Sequence, residues 1–209
     1  ELGSGKNFLH QVQELCRKNG AVFILDEMIT GFRWHLKGAC HYFGVVPDLI
    51  TFGKGMANGF SVAALGGKRE IMELGGLQHK KERVFLISTT HGAEMCGLGA
   101  FIETMKVYQE IDVIGGLWKS GKALADGLTA LAKAKGLEES FYLYGPDCSP
   151  IYGTKDRNGE ISLPLRTLFS QEMIRQGVLI PWISIAYLHQ EKEIEATLKA
   201  ADNALDIYA

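Results

Sequence analysis

Three short stretches of this chain gather residue types that can do chemistry, and each lies at the end of an apolar run. In Phe23-Ile24-Leu25-Asp26-Glu27-Met28-Ile29-Thr30-Gly31-Phe32-Arg33 the run ends in two adjacent carboxylates. An acid in such a place needs a cationic partner. In Thr51-Phe52-Gly53-Lys54-Gly55 a lysine stands between glycines, whose missing Cβ lets a backbone approach a ligand closely. In Ser88-Thr89-Thr90-His91-Gly92-Ala93, hydroxyls and backbone N–H groups stand just before a helical pattern, an arrangement able to hold a phosphate. Each stretch alone has an ordinary explanation. An Asp that ends a strand is most often a cap, a lysine between glycines is most often a solvated loop residue, and a Ser-Thr-Thr run is most often an N-cap.

The elements that must position these residues follow from periodicity. Residues Asn7 to Lys18 carry Phe8, Leu9, Val12 and Leu15 at helical spacing, and Asn19-Gly20 supplies a left-handed exit. The run Ala21 to Leu25 has the length of a strand buried on both faces, as in a parallel sheet. Asp48 to Phe52 and Val84 to Ser88 read as further strands, with a weaker one over Val62 to Leu65. In α/β sheets, ligands collect at such strand ends. Helices are predicted over Ala93–Glu110 and Asp112–Lys135, although Gly115-Gly116 blurs the start of the second. Strand-like pieces at Phe141–Tyr144 and Pro150–Gly153 precede a hairpin-type turn at Arg157-Asn158-Gly159. Helices over Leu165–Gln176 and Glu191–Tyr208 close the pattern. The fold class is α/β over residues 1–110, followed by a smaller α+β domain over 111–209.

Composition removes other classes of function. The 209 residues are 46% hydrophobic and 22% charged, as expected of a globular protein with a real core. A net charge of −2, with lysine and arginine scattered, gives no field for nucleic acid. No apolar run approaches the roughly 20 residues needed to span a bilayer, and no export signal opens the chain, so a cytoplasmic location is expected. Cys16, Cys40, Cys96 and Cys148 form no Cys-x-x-Cys and read as buried, reduced thiols. Gly3-Ser4-Gly5-Lys6 lacks the preceding strand, the earlier glycine and the Ser or Thr of a phosphate-binding loop. The six histidines offer no i, i+4 pair for a metal, His35 and His41 being nearest to one.

Taken together, an acid, a lysine and a hydroxyl cup on successive strand ends meet the requirements of pyridoxal 5'-phosphate. The lysine can form the Schiff base, the acid can keep the pyridine nitrogen protonated, and the cup can hold the phosphate. The run from Phe23 to Glu73 carries the resemblance further. With Asp-Glu-Met-Ile-Thr-Gly-Phe-Arg, Tyr42-Phe43-Gly44-Val45-Val46-Pro47-Asp48-Leu49 and Gly67-Lys68-Arg69-Glu70-Ile71-Met72, it closely resembles the class III pyridoxal-phosphate aminotransferases, above all those of the glutamate-1-semialdehyde aminomutase type. The resemblance implies a fold type I transferase, with part of a large domain followed by the small domain. It implies Lys54 as the Schiff-base lysine, Asp26 as partner of the pyridine nitrogen, and Met28 packed on the cofactor ring. Thr90 matches the threonine that binds the phosphate of the neighbouring subunit's cofactor in a homodimer, and the substrates implied are an amino donor and a carbonyl acceptor. Family members also have an N-terminal half with the other phosphate loop and the ring stacker, so the chain reads as a fragment or as one piece of a split enzyme. Aligned on Tyr187-Leu188-His189, Pro181 stands where the aminomutase pattern has a glutamate, which favours a simple aminotransferase. The rival reading is a non-catalytic piece that folds or dimerises without cofactor.

Overall fold

The computed structural model describes residues 7–82 and 94–208. The chain divides into two compact units that meet between Ile114 and Gly115.

The first unit opens with α1 (Phe8–Lys18). Asn7 caps it reciprocally: its side chain accepts from the His10 N–H at 3.1 Å, while His10 Nδ1 accepts from the Asn7 N–H at 3.3 Å. The helix ends at Asn19, with Gly20 left-handed as its sequence predicts. A parallel pair follows, β1 (Ile24–Asp26) with β2 (Leu49–Phe52), in the register Ile24↔Leu49, Leu25↔Ile50, Asp26↔Thr51. Between them lies the short helix α2 (Ala39–Phe43). The third strand, β3 (Ala64–Gly67), runs antiparallel to β2, because the short link 53–63 has no room for a crossover. It is followed by α3 (Arg69–Met72) and, later, α4 (Met95–Glu110).

Three sequence expectations change here. The first strand begins three residues later than expected, because the Asp48 carboxylate accepts the Phe23 N–H at 2.7 Å and ends that donor's availability for a ladder. It is also not buried on both faces: Phe23 is 6% exposed but Ile24 is 55%. The thiols differ as well. Only Cys148 is buried; Cys16 and Cys40 are half-buried and Cys96, near the start of α4, is exposed, and none is in a disulfide. The expected strand Val84–Ser88 lies outside the described residues.

The second unit contains α5 (Val113–Ala134), the antiparallel hairpin of β4 (Phe141–Tyr144) and β5 (Ile151–Thr154), α6 (Leu163–Arg175) and α7 (Glu191–Tyr208). The glycine pair that blurs the start of α5 in the sequence lies inside the helix. Gly116 is there because a Cβ would meet the Tyr187 ring at 2.7 Å. The core centres on Phe141, Tyr152 and Phe169, with Phe141 and Phe169 rings 4.7 Å apart, closed by Ala201, Ala204 and Leu205 of α7. Tyr152 keeps its buried hydroxyl satisfied by donating to the carbonyls of Ile180 and Pro181. Pro181 therefore belongs to a structural contact of this unit.

Burial predicts where substitution hurts. Phe169→Ala, at a position with no exposure, should cost about 3–5 kcal/mol in denaturant unfolding. Phe8→Ala, on a side chain 73% exposed, should stay within about 0.5 kcal/mol of wild type. Equal losses at the two positions would contradict this packing.

Candidate active site at the β1 and β2 strand ends

Two strands deliver the site. Because β1 and β2 are parallel, their C-terminal ends lie side by side, with Asp26 opposite Thr51 and Lys54 three residues beyond. Asp26 is exposed, and its Oδ1 accepts from the Met28 N–H at 2.9 Å and from the Thr51 hydroxyl at 3.1 Å. These bonds, that from Met28 above all, hold its carboxyl below the usual carboxylate range, and the nearby charge of Lys54 adds to the effect. Asp26 is thus kept ionised at a strand end open to solvent.

Lys54 begins a single 3₁₀ turn, Lys54–Met56, and its backbone is left-handed at φ 47°. That region is uncommon for a residue with a Cβ and recurs where a side chain must be aimed. Its side chain is exposed. Gly53 before it is buried under Met28: a Cβ there would run into the Met28 thioether. The Met28 thioether thus lies against the glycine that precedes the lysine. The structure brings together Asp26, Met28 and Lys54, three of the four residues predicted from the sequence. Thr90, with the whole Ser88–Ala93 cup, lies outside the described residues.

The neighbouring carboxylate has a different role. Glu27 is fully buried and accepts from the N–H groups of Ala39 and Cys40 and from the Thr30 hydroxyl. It meets the first turn of α2 where the sequence pointed to a cation, because unpaired helix N–H groups solvate an anion equally well. Gly38 leaves the room, since a Cβ there would lie 2.7 Å from both Glu27 oxygens. Burial, followed by the Glu27 carboxylate, pushes the Cys40 thiol up to about 11.

Beyond Glu27, the loop is locked by aromatic rings. Phe32, left-handed at φ 60°, packs at a tilt against Phe52 and Tyr108 of α4, with ring centroids 5.4 and 6.0 Å away, and the Tyr108 hydroxyl donates to the Phe32 carbonyl at 2.6 Å. Asp48 serves the far end of the strands, pairing with Lys68 at 2.6 Å. A shallow cleft between Arg17, Asp48 and Lys68 contains none of the site residues. The rings of His35 and His41 lie 4.2 Å apart at a tilt, and no group of three candidate metal ligands occurs among the described residues. No helix among them is long and apolar enough to cross a membrane.

Sequence reasoning overlooked Thr51 and the Glu27 anchor. The available signal for Thr51 was the register: in a parallel pair with both chemical residues at strand ends, the residue opposite the acid is determined by where β2 stops.

Comparison with known proteins gives the family and the fold. Residues 3–139 match the family model of class-III aminotransferases. A glutamate-1-semialdehyde 2,1-aminomutase of Desulfatibacillum aliphaticivorans is 35% identical over 210 residues, covering 95% of this chain and 48% of the relative. A 3-aminobutyryl-CoA aminotransferase of Cloacimonas acidaminovorans is 31% identical over 201 residues, covering 95% and 47%. The chain thus spans about half the length of the curated relatives it matches. Among solved structures, the FumI protein of Sphingopyxis sp. MTA144, with pyridoxal phosphate bound, superposes with TM-score 0.83 at 24% identity, covering 96% of this chain and 46% of that one. An omega-transaminase from Sphaerobacter thermophilus gives 0.81 at 24% identity, with 96% and 48% covered.

The Glu27 anchor is testable without substrate. Glu27→Gln leaves one N–H of the α2 first turn facing an amide NH₂ group and should cost about 1–3 kcal/mol of stability. It should also lower the Cys40 thiol from about 11, so that alkylation by iodoacetamide speeds up at mildly alkaline pH. An unchanged pH profile of alkylation would remove Glu27 from the Cys40 environment.

Proposed function

Because this chain belongs to the class III aminotransferases, we propose that it forms the part of a transaminating enzyme that supplies the cofactor-anchoring lysine, Lys54, and the ring-nitrogen acid, Asp26. Its fold is that of the fold type I pyridoxal-phosphate transferases, present in part. In this reading, residues 1–110 complete the cofactor-binding large domain and residues 111–209 form the small domain. The observation that carries it is the joint placement of an ionised, exposed Asp26 and a left-handed Lys54 on adjacent strand ends, with the Met28 thioether against Gly53.

The residues present fit the family's cofactor. Pyridoxal 5'-phosphate, when bound, supplies an electron-accepting ring that stabilises negative charge at the carbon of an attached amine. Lys54 would hold it through its Nζ, and the same amine, when free, would serve as the base that moves a proton at the substrate carbon. Asp26 would accept the N–H of the ring nitrogen and keep that nitrogen protonated. Met28 would cover one ring face and exclude water there. Thr90 would bind the phosphate held by the partner subunit in a homodimer, and the substrates would be an amino donor and a carbonyl acceptor. An aminomutase would use the same residues, and the relatives of that name favour it as a second reading.

In an active protein containing this chain, Lys54→Ala should abolish turnover and the absorbance of lysine-bound cofactor, because no other described amine stands at this strand end. Asp26→Asn keeps the shape but loses the charge, and should bind cofactor while slowing turnover by about 10³-fold or more. A near-normal rate in Asp26→Asn would end its assigned role. Mixing Lys54→Ala with Thr90→Ala subunits should restore up to half the wild-type activity per heterodimer, since one of two shared sites regains both residues. No recovery beyond the separate mutants would place Thr90 in its own subunit's site.

A further inference from the structure

The pairing of β1 with β2 does more than bring Asp26 near Lys54. Both donors that reach Asp26, the Met28 N–H and the Thr51 hydroxyl, bind the same oxygen, Oδ1. Among the described residues no donor reaches Oδ2. The Met28 bond spans only two residues and belongs to the local turn. The Thr51 bond comes from the neighbouring strand, the one that leads into Lys54. We propose that Thr51 is a positioning residue for Asp26: its hydroxyl loads Oδ1 and ties the carboxylate to the lysine-bearing strand, so that Oδ2 is presented to the protonated nitrogen of an aromatic heterocycle.

The strand itself does not require this hydroxyl. The ladder beside it continues through the Thr51 carbonyl, which accepts the Glu27 N–H at 3.0 Å. Valine would fill the same β-branched volume and suit a strand as well. What only a hydroxyl can do here is donate to the acid. The groups acting on Asp26 are the Met28 N–H, the Thr51 hydroxyl and the Lys54 ammonium, and all three favour its anion. Loss of the Thr51 donor therefore leaves the carboxylate on its local turn alone, able to rotate and to share its two oxygens.

The inference rests on reading Asp26 as the acid of a cofactor site, but its first test needs no cofactor. The Asp26 side-chain carboxyl is followed by ¹³C NMR through an acid titration of the 209-residue chain, with Thr51→Val and Thr51→Ser beside wild type. The midpoint should rise in Thr51→Val and stay at the wild-type value in Thr51→Ser, whatever the order of the variants in unfolding experiments. A midpoint unmoved by valine, or moved equally by serine, would overturn the proposal. If Thr51→Val does not fold, Thr51→Ala against Thr51→Ser makes the same comparison. In an active protein containing this chain, Thr51→Val should lower kcat several-fold with little change in KM for the amino donor, and serine should restore it. Wild-type kcat in Thr51→Val beside a crippled Asp26→Asn refutes the positioning role. Wild-type kcat in both refutes the proposed function instead.

Discussion

The site depends on one constraint, the parallel pairing of β1 with β2 in the register Asp26↔Thr51. A parallel ladder brings two C-terminal strand ends to the same edge, so the residues that follow each strand meet without any contact chosen for that purpose. The register is secured at the opposite end by Asp48. Its carboxylate takes the Phe23 N–H and the Lys68 ammonium, while its backbone N–H donates to the Phe23 carbonyl. A slip by one residue would turn Asp26 to the other face and break both bonds of Asp48 to β1.

Two carboxylates adjacent in sequence have opposite environments because alternation along a strand end points them to opposite sides. Glu27 goes inward and is satisfied entirely by two N–H groups of the α2 first turn and one hydroxyl. Asp26 faces solvent, with two donors on one oxygen. The inner acid holds the loop in place, and the outer one is left available to a ligand. The aromatic lock of Phe32 by Phe52 and Tyr108 closes the same loop from its far side.

The two units differ in how much of their apolar surface they bury. The second has a core of its own, with Leu128, Tyr152, Phe169, Met173 and Leu205 without exposure. In the first, Phe8, Ile24, Met95 and Ile102 are more than half exposed, and α1 buries no residue at all. The chain itself spans about half the length of its relatives.

Much of this was legible in the sequence. The helices, the two strand-like pieces that became β4 and β5, and the family follow from apolar periodicity, turn residues and an ordered set of motifs, all of which are local in the chain; the same motifs are what single out Asp26 and Lys54 as candidates. Local signals also misled where a distant group competed. The first strand starts late because Asp48, far along the chain, takes a ladder N–H. Gly116 reads as a helix breaker until Tyr187 lies against it. The thiols were assigned by the habits of cysteine rather than by the faces they occupy. Only the tertiary structure decided that Glu27 is an anchor and not a second site acid, that Lys54 adopts a left-handed backbone, and that Thr51 stands on Asp26. Those depend on strand register and on which face of each strand meets another element, and both are set by long-range hydrogen bonding and burial that no single segment contains.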